Sequence, residues 1–264
     1  MTAVLRVLDL DKSFLKGDKR VVALQGLNLD VEEGTFLTVL GRSGCGKSTL
    51  LNMLAGLTQP TSGRIEYRGR PVTGPHHDLA YLTQHDTLMP WRDLQRNIEM
   101  PLEVRGVSKT ERTRVAGELI QRVGLSGFEK HYPRELSGGM RRRAGLARML
   151  SAAPETFLLD EPFGALDAQL RAELQSDLLR LWRGSGKTVV FITHDLEEAL
   201  LLGDRVIVLG QLGRVLLDQP IGLPRPRDLD QLRVDPDFVA LHRRTAEALR
   251  AGSPGTDLRK EGAA

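Results

Sequence analysis

The amino-acid sequence predicts an α/β fold in which a mainly parallel sheet is joined to an antiparallel β subdomain and a helical insert. Short apolar runs alternate with helical patterns over 35–56 and again over 156–209, as in parallel strands covered on both faces. Residues 4–10 and 21–31 alternate apolar and polar side chains, which indicates antiparallel strands. From about 90 to 150 the apolar residues recur every three or four positions, which predicts helices.

The first half of the chain contains mostly strands. A turn at 16–19 joins the first two of them. A fully apolar strand at 35–40 leads through a glycine-rich loop into a helix at 47–56. The further strands are predicted at 63–69 and 79–83.

The second half begins with helices and then returns to the β/α pattern. Helices are predicted at 92–104, 109–123 and 138–152, separated by glycine and proline. Strands are predicted at 156–159, 188–193, 205–209 and 213–217, and helices at 168–182, 196–202 and 237–249.

These elements predict one domain over 1–219, with a helical subdomain at about 88–152 inserted in its core. The remaining segment, 220–264, is expected to be a tail with one amphipathic helix and a disordered end. At 264 residues, 41% of them hydrophobic, the chain can bury a substantial core.

Composition excludes several classes of protein. The net charge is only +3 and aromatic residues make up 5% of the chain, so we expect no nucleic-acid partner. No apolar run is long enough to span a bilayer, and the N-terminus lacks a secretory signal. A cytoplasmic location is therefore expected. Cys45 is the only cysteine, which excludes an internal disulfide and a zinc cluster.

The most informative motif is the stretch 41–49, which has the pattern G-x-x-x-x-G-K-S between an apolar strand and a helix. Glycines let several backbone N–H groups approach one anion, and the positive end of the helix dipole points to the same place. Lys47 can reach the β- and γ-phosphates, and Ser48 can bind Mg²⁺. The alternative, an ordinary glycine-rich turn, would match this pattern by chance in about 1% of such chains. The motif therefore predicts a nucleoside triphosphate site.

Two carboxylates, Asp160 and Glu161, follow the apolar strand at 156–159. The C-terminal ends of parallel strands meet at one edge of a sheet, where a Mg²⁺–phosphate group would bind. Asp160 can hold Mg²⁺ there, and Glu161 can polarise an attacking water. Taken alone, the pair is equally consistent with ordinary charges at a helix N-terminus.

Three further signals are weak individually. Ser137 is a good N-cap, and Gly138 and Gly139 would let an anion approach the helix that follows. His194 and Gln84 each follow an apolar strand. Taken alone, each of these signals favours a structural role.

Taken in order, the motifs resemble the nucleotide-binding subunit of ATP-binding cassette (ABC) transporters. The set comprises the phosphate loop, Gln84, L-S-G-G at 136–139, D-E-P at 160–162, Asp167 and His194. The resemblance covers about residues 4–217. It implies the ABC ATPase fold, built on a P-loop NTPase core, with ATP and Mg²⁺ as ligands and ATP hydrolysis as the activity.

The resemblance also implies a role for each motif residue. Glu161 would be the catalytic carboxylate, His194 the switch histidine at the γ-phosphate, and Gln84 the Q-loop glutamine that touches Mg²⁺ and the attacking water. Mg²⁺ would be held by Ser48, Gln84 and Asp160. The implied nucleotide-binding residues are Phe14, Gly41, Arg42, Ser43, Gly44, Cys45, Gly46, Lys47, Ser48, Thr49, Ser137, Gly138, Gly139 and Asp167.

In this family two cassettes pair head to tail, which here implies a homodimer. Each ATP would lie between the phosphate loop 41–49 of one chain, the family's Walker A loop, and the L-S-G-G motif of the other, the family's signature motif. Asp167 would cross the interface. Loss of the γ-phosphate would open the pair. The sequence departs from the family at Arg142, where glutamine is usual, at Phe14, where tyrosine is usual, and at Gly164, where serine is common.

The segment 88–92 resembles the L-x-P-W segment of the nitrate/sulfonate/taurine importer subfamily, as does the tail segment 234–238. This implies a peripheral subunit at the cytoplasmic face of the inner membrane. It would work with a transmembrane permease and, indirectly, a solute-binding protein, and it would drive uptake of a small anionic solute. Trp91 would contact the permease, although a core position is the alternative.

Two other kinds of protein also contain a phosphate loop of this kind. A soluble ABC ATPase acting on nucleic acid or ribosomes would be expected to carry a long coiled coil or a second cassette, and the sequence shows neither. An unrelated P-loop kinase or GTPase would not explain L-S-G-G or His194.

Overall fold

The computed structural model describes residues 3–84, 87–164 and 166–252. The strands are β1 (Ala3–Lys16), β2 (Lys19–Glu32), β3 (Phe36–Gly41), β4 (Ser62–Tyr67), β5 (Arg70–Pro71), β6 (Leu79–Leu82), β7 (Thr156–Asp160), β8 (Thr188–Thr193), β9 (Arg205–Leu209) and β10 (Val215–Pro220). The helices are α1 (Lys47–Leu54), α2 (Leu94–Val104), α3 (Lys109–Arg122), α4 (Gly138–Ser151), α5 (Ala168–Trp182), α6 (Leu196–Leu202), α7 (Leu229–Leu232) and α8 (Pro236–Ala251).

The chain divides into two compact units, and each is described here by itself. The first unit combines residues 1–76 with 186–264, and the second unit is 77–185. The helices predicted within 88–152 belong to the second unit.

The first unit contains an antiparallel sheet with the strand order β2-β1-β4-β5. It also contains the parallel arrangement β9-β3-β8, to which β10 adds in antiparallel orientation. Every residue of β3 and β8 is buried, which explains why both strands are continuous apolar runs in the sequence. Leu40 of β3 lies opposite Thr193 of β8, so the segments that follow these strands leave the sheet at the same edge.

The tail packs into the first unit through a shared hydrophobic cluster. Its buried members are Leu40, Ala199, Leu200, Val206, Val208, Ile221, Leu223, Leu232, Phe238 and Leu241. Two arginines fix the connection before α7. Arg227 Nη1 donates to the carbonyls of Leu200 at 2.9 Å and Gly203 at 2.5 Å, and Arg225 pairs with Asp204 at 2.9 Å. The bonds of Arg227 satisfy carbonyl groups that the C-terminal end of α6 leaves without helical partners.

The second unit pairs β6 with β7 in parallel, with Leu82 opposite Leu159. Its three consecutive helices α2, α3 and α4 enclose their own core. Its buried members are Leu88, Leu94, Ile98, Ala116, Leu119, Ile120, Val123, Leu125, Leu136, Ala144 and Ala147. Among the described residues, no helix combines the length and apolar character needed to cross a bilayer.

The predicted elements are confirmed, with shifts at their ends that have local causes. Helix α2, expected from residue 92, begins at Leu94 because Asp93 is its N-cap. The Asp93 side chain accepts a hydrogen bond from the Arg96 amide at 2.8 Å. The final strand begins at Val215, not at 213, because Leu212 and Gly213 both have positive φ and form a turn. The two-residue β5 and the four-residue α7 were not predicted. The expected disorder at the end of the tail lies outside the described residues.

Candidate functional site

The phosphate loop joins the buried strand β3 to α1, and its backbone leaves no space for larger side chains at two glycines. Gly46, the N-cap of α1, has φ 104°. A Cβ there would lie 2.5 Å from Leu24 Cδ2 and 2.8 Å from the carbonyl oxygen of Ala23. A Cβ on Gly41 would lie 2.6 Å from the sulfur of Cys45. The local geometry therefore requires glycine at both of these positions of the pattern.

Lys47 lies inside the curve of this loop. It is buried, and its ammonium group donates to the carbonyl oxygens of Gly41 at 2.7 Å and Arg42 at 3.1 Å. Ser43 and Ser48 are exposed on the same loop, and Thr49 is half-buried. A cation enclosed by a glycine-rich turn at a helix N-terminus fits a phosphate group.

Cys45 is buried beneath the loop. Burial raises the pKa of its thiol, and the nearby Lys47 only partly opposes this. A cavity of about 430 Å³ lies against the loop and is also lined by residues 209–212 and by Leu249 and Gly252. A neutral thiol at this position is consistent with a packing role.

Asp160 and Glu161 follow β7 in contrasting environments. Asp160 is 2% exposed, whereas Glu161 is only partly buried and has φ 46°. A left-handed backbone costs a residue with a side chain about 1–2 kcal/mol. Such strain is found preferentially at functional sites, and it persists only where the surrounding contacts hold it. Four other residues with side chains, Asp9, Arg68, Ala153 and Leu212, also have positive φ, so the strain alone does not single out Glu161. Its position directly after β7, next to Asp160, together with the motif, makes it the catalytic candidate.

Sequence reasoning missed Tyr81, which lies on β6 beside β7. Its hydroxyl forms a hydrogen bond with the Asp160 carboxylate. Burial, together with the charge of Asp160, raises the pKa of Tyr81, so its hydroxyl stays protonated and donates. The contact orients a carboxylate whose hard oxygen atoms suit Mg²⁺.

Arg142 turns towards the ends of β6 and β7. Its acceptors are the carbonyl oxygens of Asp160 (2.8 Å), Glu161 (2.9 Å), Pro162 (2.8 Å), Gln84 (3.2 Å) and Thr83. The sequence identified Arg142 only as a departure from the family. The structure shows that it connects the backbone at the C-terminal end of β7 with the backbone that follows β6.

The L-S-G-G motif at 136–139 leads into α4. Ser137 is its N-cap and accepts a hydrogen bond from the Met140 amide at 3.3 Å. Ser137 and Gly138 are exposed, and Gly139 is half-buried. The first turn of this helix is therefore accessible to an anion.

His194 is exposed between two anchored residues. The hydroxyl of Thr193 donates to the Glu198 carboxylate and accepts from the Asp195 amide at 3.0 Å. Asp195 in turn caps α6 by accepting from the Glu198 amide at 3.1 Å. This network fixes the backbone on both sides of the imidazole.

Three further residues that the sequence predicts for the site are exposed: Gln84, Asp167 and Phe14. Gln84 follows the end of β6, and Asp167 caps α5 by accepting from the Leu170 amide at 3.0 Å. Phe14 is 43% exposed, and the ammonium group of Lys12 lies 4.9 Å from its ring centre. An exposed ring of this kind can stack on a base.

The structure thus collects the predicted residues in two groups. Phe14, the loop 41–49 and His194 lie in the first unit, where the register of β3 and β8 places the loop and His194 at one sheet edge. Gln84, Asp160 and Glu161 lie in the second unit, where the register of β6 and β7 has the same effect. The second unit also contains Ser137, Gly138, Gly139 and Asp167.

Comparison with known sequences gives a consistent result. A family model described as ABC transporter matches residues 24–164. An uncharacterized ABC transporter ATP-binding protein of Methanocaldococcus jannaschii is 48% identical over 229 residues, 86% of each chain. The taurine import ATP-binding protein TauB of Shigella dysenteriae is 43% identical over 224 residues, 83% of this chain and 88% of that protein.

A solved structure agrees with the sequence relatives. It shows the ATP-binding cassette MJ0796 as a dimer in a post-hydrolysis state bound to ADP and Pi. This cassette is 30% identical, with a TM-score of 0.77, and the match covers 83% of this chain and all of that one. With the phosphate loop and the geometry around Glu161, these matches place the chain in the ABC transporter family, as an ATP-hydrolysing cassette subunit.

Proposed function

We propose that this chain is the ATP-hydrolysing subunit of a bacterial ABC importer. Two copies dimerise around two ATP molecules and drive uptake of a small anionic solute, of the nitrate, sulfonate or taurine class, through a membrane permease. The observation that carries the importer assignment is the 43% identity, over 83% of the chain, to a taurine import ATP-binding protein.

Within one chain, the proposed roles follow from the two residue groups. Lys47 and the loop amides bind the phosphates, and Phe14 stacks on the adenine ring. Ser48, Gln84 and Asp160 are the candidate Mg²⁺ ligands, because all three offer hard oxygen atoms. Glu161 orients the attacking water, and His194 holds the γ-phosphate.

The exposed L-S-G-G motif supports the proposed dimer. Ser137, Gly138 and Gly139 present a helix N-terminus to solvent, and we propose that it binds the ATP held by the phosphate loop of the other copy. Asp167 is exposed as well, and we place it at the same interface. The dimeric form of the related cassette supports this arrangement.

Trp91 supports the permease partner. It is 72% exposed, whereas Leu88, three residues earlier, is buried in the helical core. A large exposed aromatic side chain on a well-anchored segment is typical of a protein interface. We therefore place the permease at this surface, with the chain bound peripherally at the cytoplasmic face of the inner membrane.

The test is reconstitution with candidate membrane permeases from the same organism. ATP hydrolysis is measured in lipid, with and without the matching solute-binding protein, over a panel of nitrate, sulfonates and taurine. We expect one of these solutes to stimulate hydrolysis. Trp91→Ala should lose permease binding and this stimulation. Val234→Ala, which changes another exposed apolar residue, should retain both.

Two results would contradict the proposal. One is the failure of the purified wild-type chain to bind any permease, with hydrolysis unaffected by all of the solutes. The other is stimulation of hydrolysis by RNA or DNA, which would favour the alternative of a soluble ATPase acting on nucleic acid or ribosomes.

A further inference from the structure

We infer that Arg142 is a positioning residue for ATP hydrolysis, because its guanidinium group fixes the backbone that carries Glu161 to the backbone that carries Gln84. The inference rests on the roles proposed above for these two residues. Arg142 acts through their carbonyl groups rather than on the reacting atoms.

The contacts of Arg142 span two strand ends. Nη2 donates to the carbonyls of Asp160 and Glu161 at 2.8 and 2.9 Å, and Nε donates to that of Pro162 at 2.8 Å. Nη1 faces the other strand, where it donates to the carbonyl of Gln84 at 3.2 Å and to that of Thr83. One planar group therefore sets the distance between the turn after β7 and the end of β6.

The turn after β7 needs such support. Glu161 has a left-handed backbone at φ 46°, a conformation that persists only when several contacts impose it. Its carbonyl oxygen accepts from Arg142 and, at 3.3 Å, from the Gly164 amide. The direction of the Glu161 side chain is coupled to this backbone, so the arginine helps to determine where the carboxylate points.

Arginine is suited to this task for a chemical reason. Guanidinium carries five N–H donors in a rigid plane, whereas an ammonium group is a point charge on a flexible stem. The glutamine that is usual in the family has two side-chain N–H donors on one nitrogen. Neither replacement can serve acceptors on both strands in the same geometry.

The test compares Arg142→Lys and Arg142→Gln with the matched control Arg143→Lys. Arg143 is the next residue of α4, and it also donates to backbone carbonyls, those of Val123 at 2.9 Å and Gly124 at 3.0 Å. The first readout is amide hydrogen exchange of the nucleotide-free protein. We expect exchange in 79–84 and 160–164 to accelerate about tenfold in both Arg142 variants and to stay near the wild-type rate in the control.

The second readout is steady-state kinetics. In the Arg142 variants we expect kcat to fall about tenfold or more while KM stays within about threefold, because the phosphate loop is unchanged. Wild-type exchange in both segments would overturn the inference. So would a rise in KM at unchanged kcat, or equal effects in the control.

Glu161→Gln in the same assay separates this inference from the proposed function. If Glu161→Gln hydrolyses ATP at the wild-type rate, the proposed role of Glu161 is wrong, and with it the catalytic role of Arg142. If Glu161→Gln is inactive but the Arg142 variants behave like Arg143→Lys, only the inference about Arg142 is wrong.

Discussion

Arg233 and Glu197 form a bidentate ion pair between the tail and the first turn of α6, with N–O distances of 2.8 and 3.1 Å. Glu197 lies three residues after His194, and Arg227 binds carbonyls at the opposite end of the same helix. The tail therefore holds both ends of the helix that follows the candidate switch histidine.

This pair predicts a pH-dependent stability. The hydrogen bond with Arg233 lowers the pKa of Glu197. The contribution of this ion pair to the free energy of unfolding is therefore complete above the ordinary glutamate pKa of about 4.3. It is lost as the pH falls through the lower pKa that Glu197 has in the folded protein. Arg233→Ala should be less stable than the wild type in urea at pH 7, with the difference vanishing in acid and shrinking in salt. Arg243→Ala, at an exposed position of α8, should show no such loss at pH 7; an equal loss would contradict the prediction.

Phe238→Ala should destabilise the first unit strongly. Phe238 is 2% exposed within the cluster that joins α8 to α6, and removing a buried aromatic ring costs about 3–5 kcal/mol. Its neighbour Val239 is half exposed, so Val239→Ala should change the free energy of unfolding by less than about 0.5 kcal/mol. Urea unfolding measures both, and similar values for the two variants would show that the tail does not pack as described.

Lys47→Ala should weaken ATP binding by at least about tenfold, since a hydrogen bond to a charged group contributes about 1.5–3 kcal/mol. The buried ammonium group is already directed into the loop by Gly41 and Arg42. Titration with a fluorescent ATP analogue checks this, with the exposed Lys109 changed to alanine as the control. Unchanged affinity in Lys47→Ala would argue against a phosphate site in this loop.

Glu161→Gln should keep ATP binding while losing about 10²–10⁴-fold in turnover, the usual contribution of a general base. The contacts that hold Glu161 involve its backbone carbonyl, so the amide replacement should leave the turn intact. The test measures ATP binding and, with the permease present, ATP hydrolysis, for both Glu161→Gln and the wild type. Undiminished hydrolysis would reject the assignment.

Cys45 should react slowly with iodoacetamide in the native protein. Burial raises the pKa of its thiol, and the thiolate is the reactive form. Alkylation followed by mass spectrometry should show a rate that increases on unfolding in urea. Rapid labelling of the native protein at pH 7 would mean that the loop opens to solvent.

The fold was predictable because its signals are local. β3 and β8 are fully buried and read as unbroken apolar runs, and α5 begins after the N-cap Asp167. The contacts of Arg142 and Tyr81 carry no local signal: Arg142 and Thr83 lie 59 positions apart. The family motifs identified Glu161, but its left-handed backbone became visible only in the structure.

The arginines of the tail bear on how the protein should be handled in the laboratory. A protein truncated after Pro220 would lose Arg225 and Arg227. The carbonyls of Leu200 and Leu202 at the C-terminal end of α6 would then be left to water. It would also expose the apolar residues that Phe238 and Leu241 cover, a surface prone to aggregation. An affinity tag is better attached beyond residue 252, because the contacts between the tail arginines and α6 then stay intact.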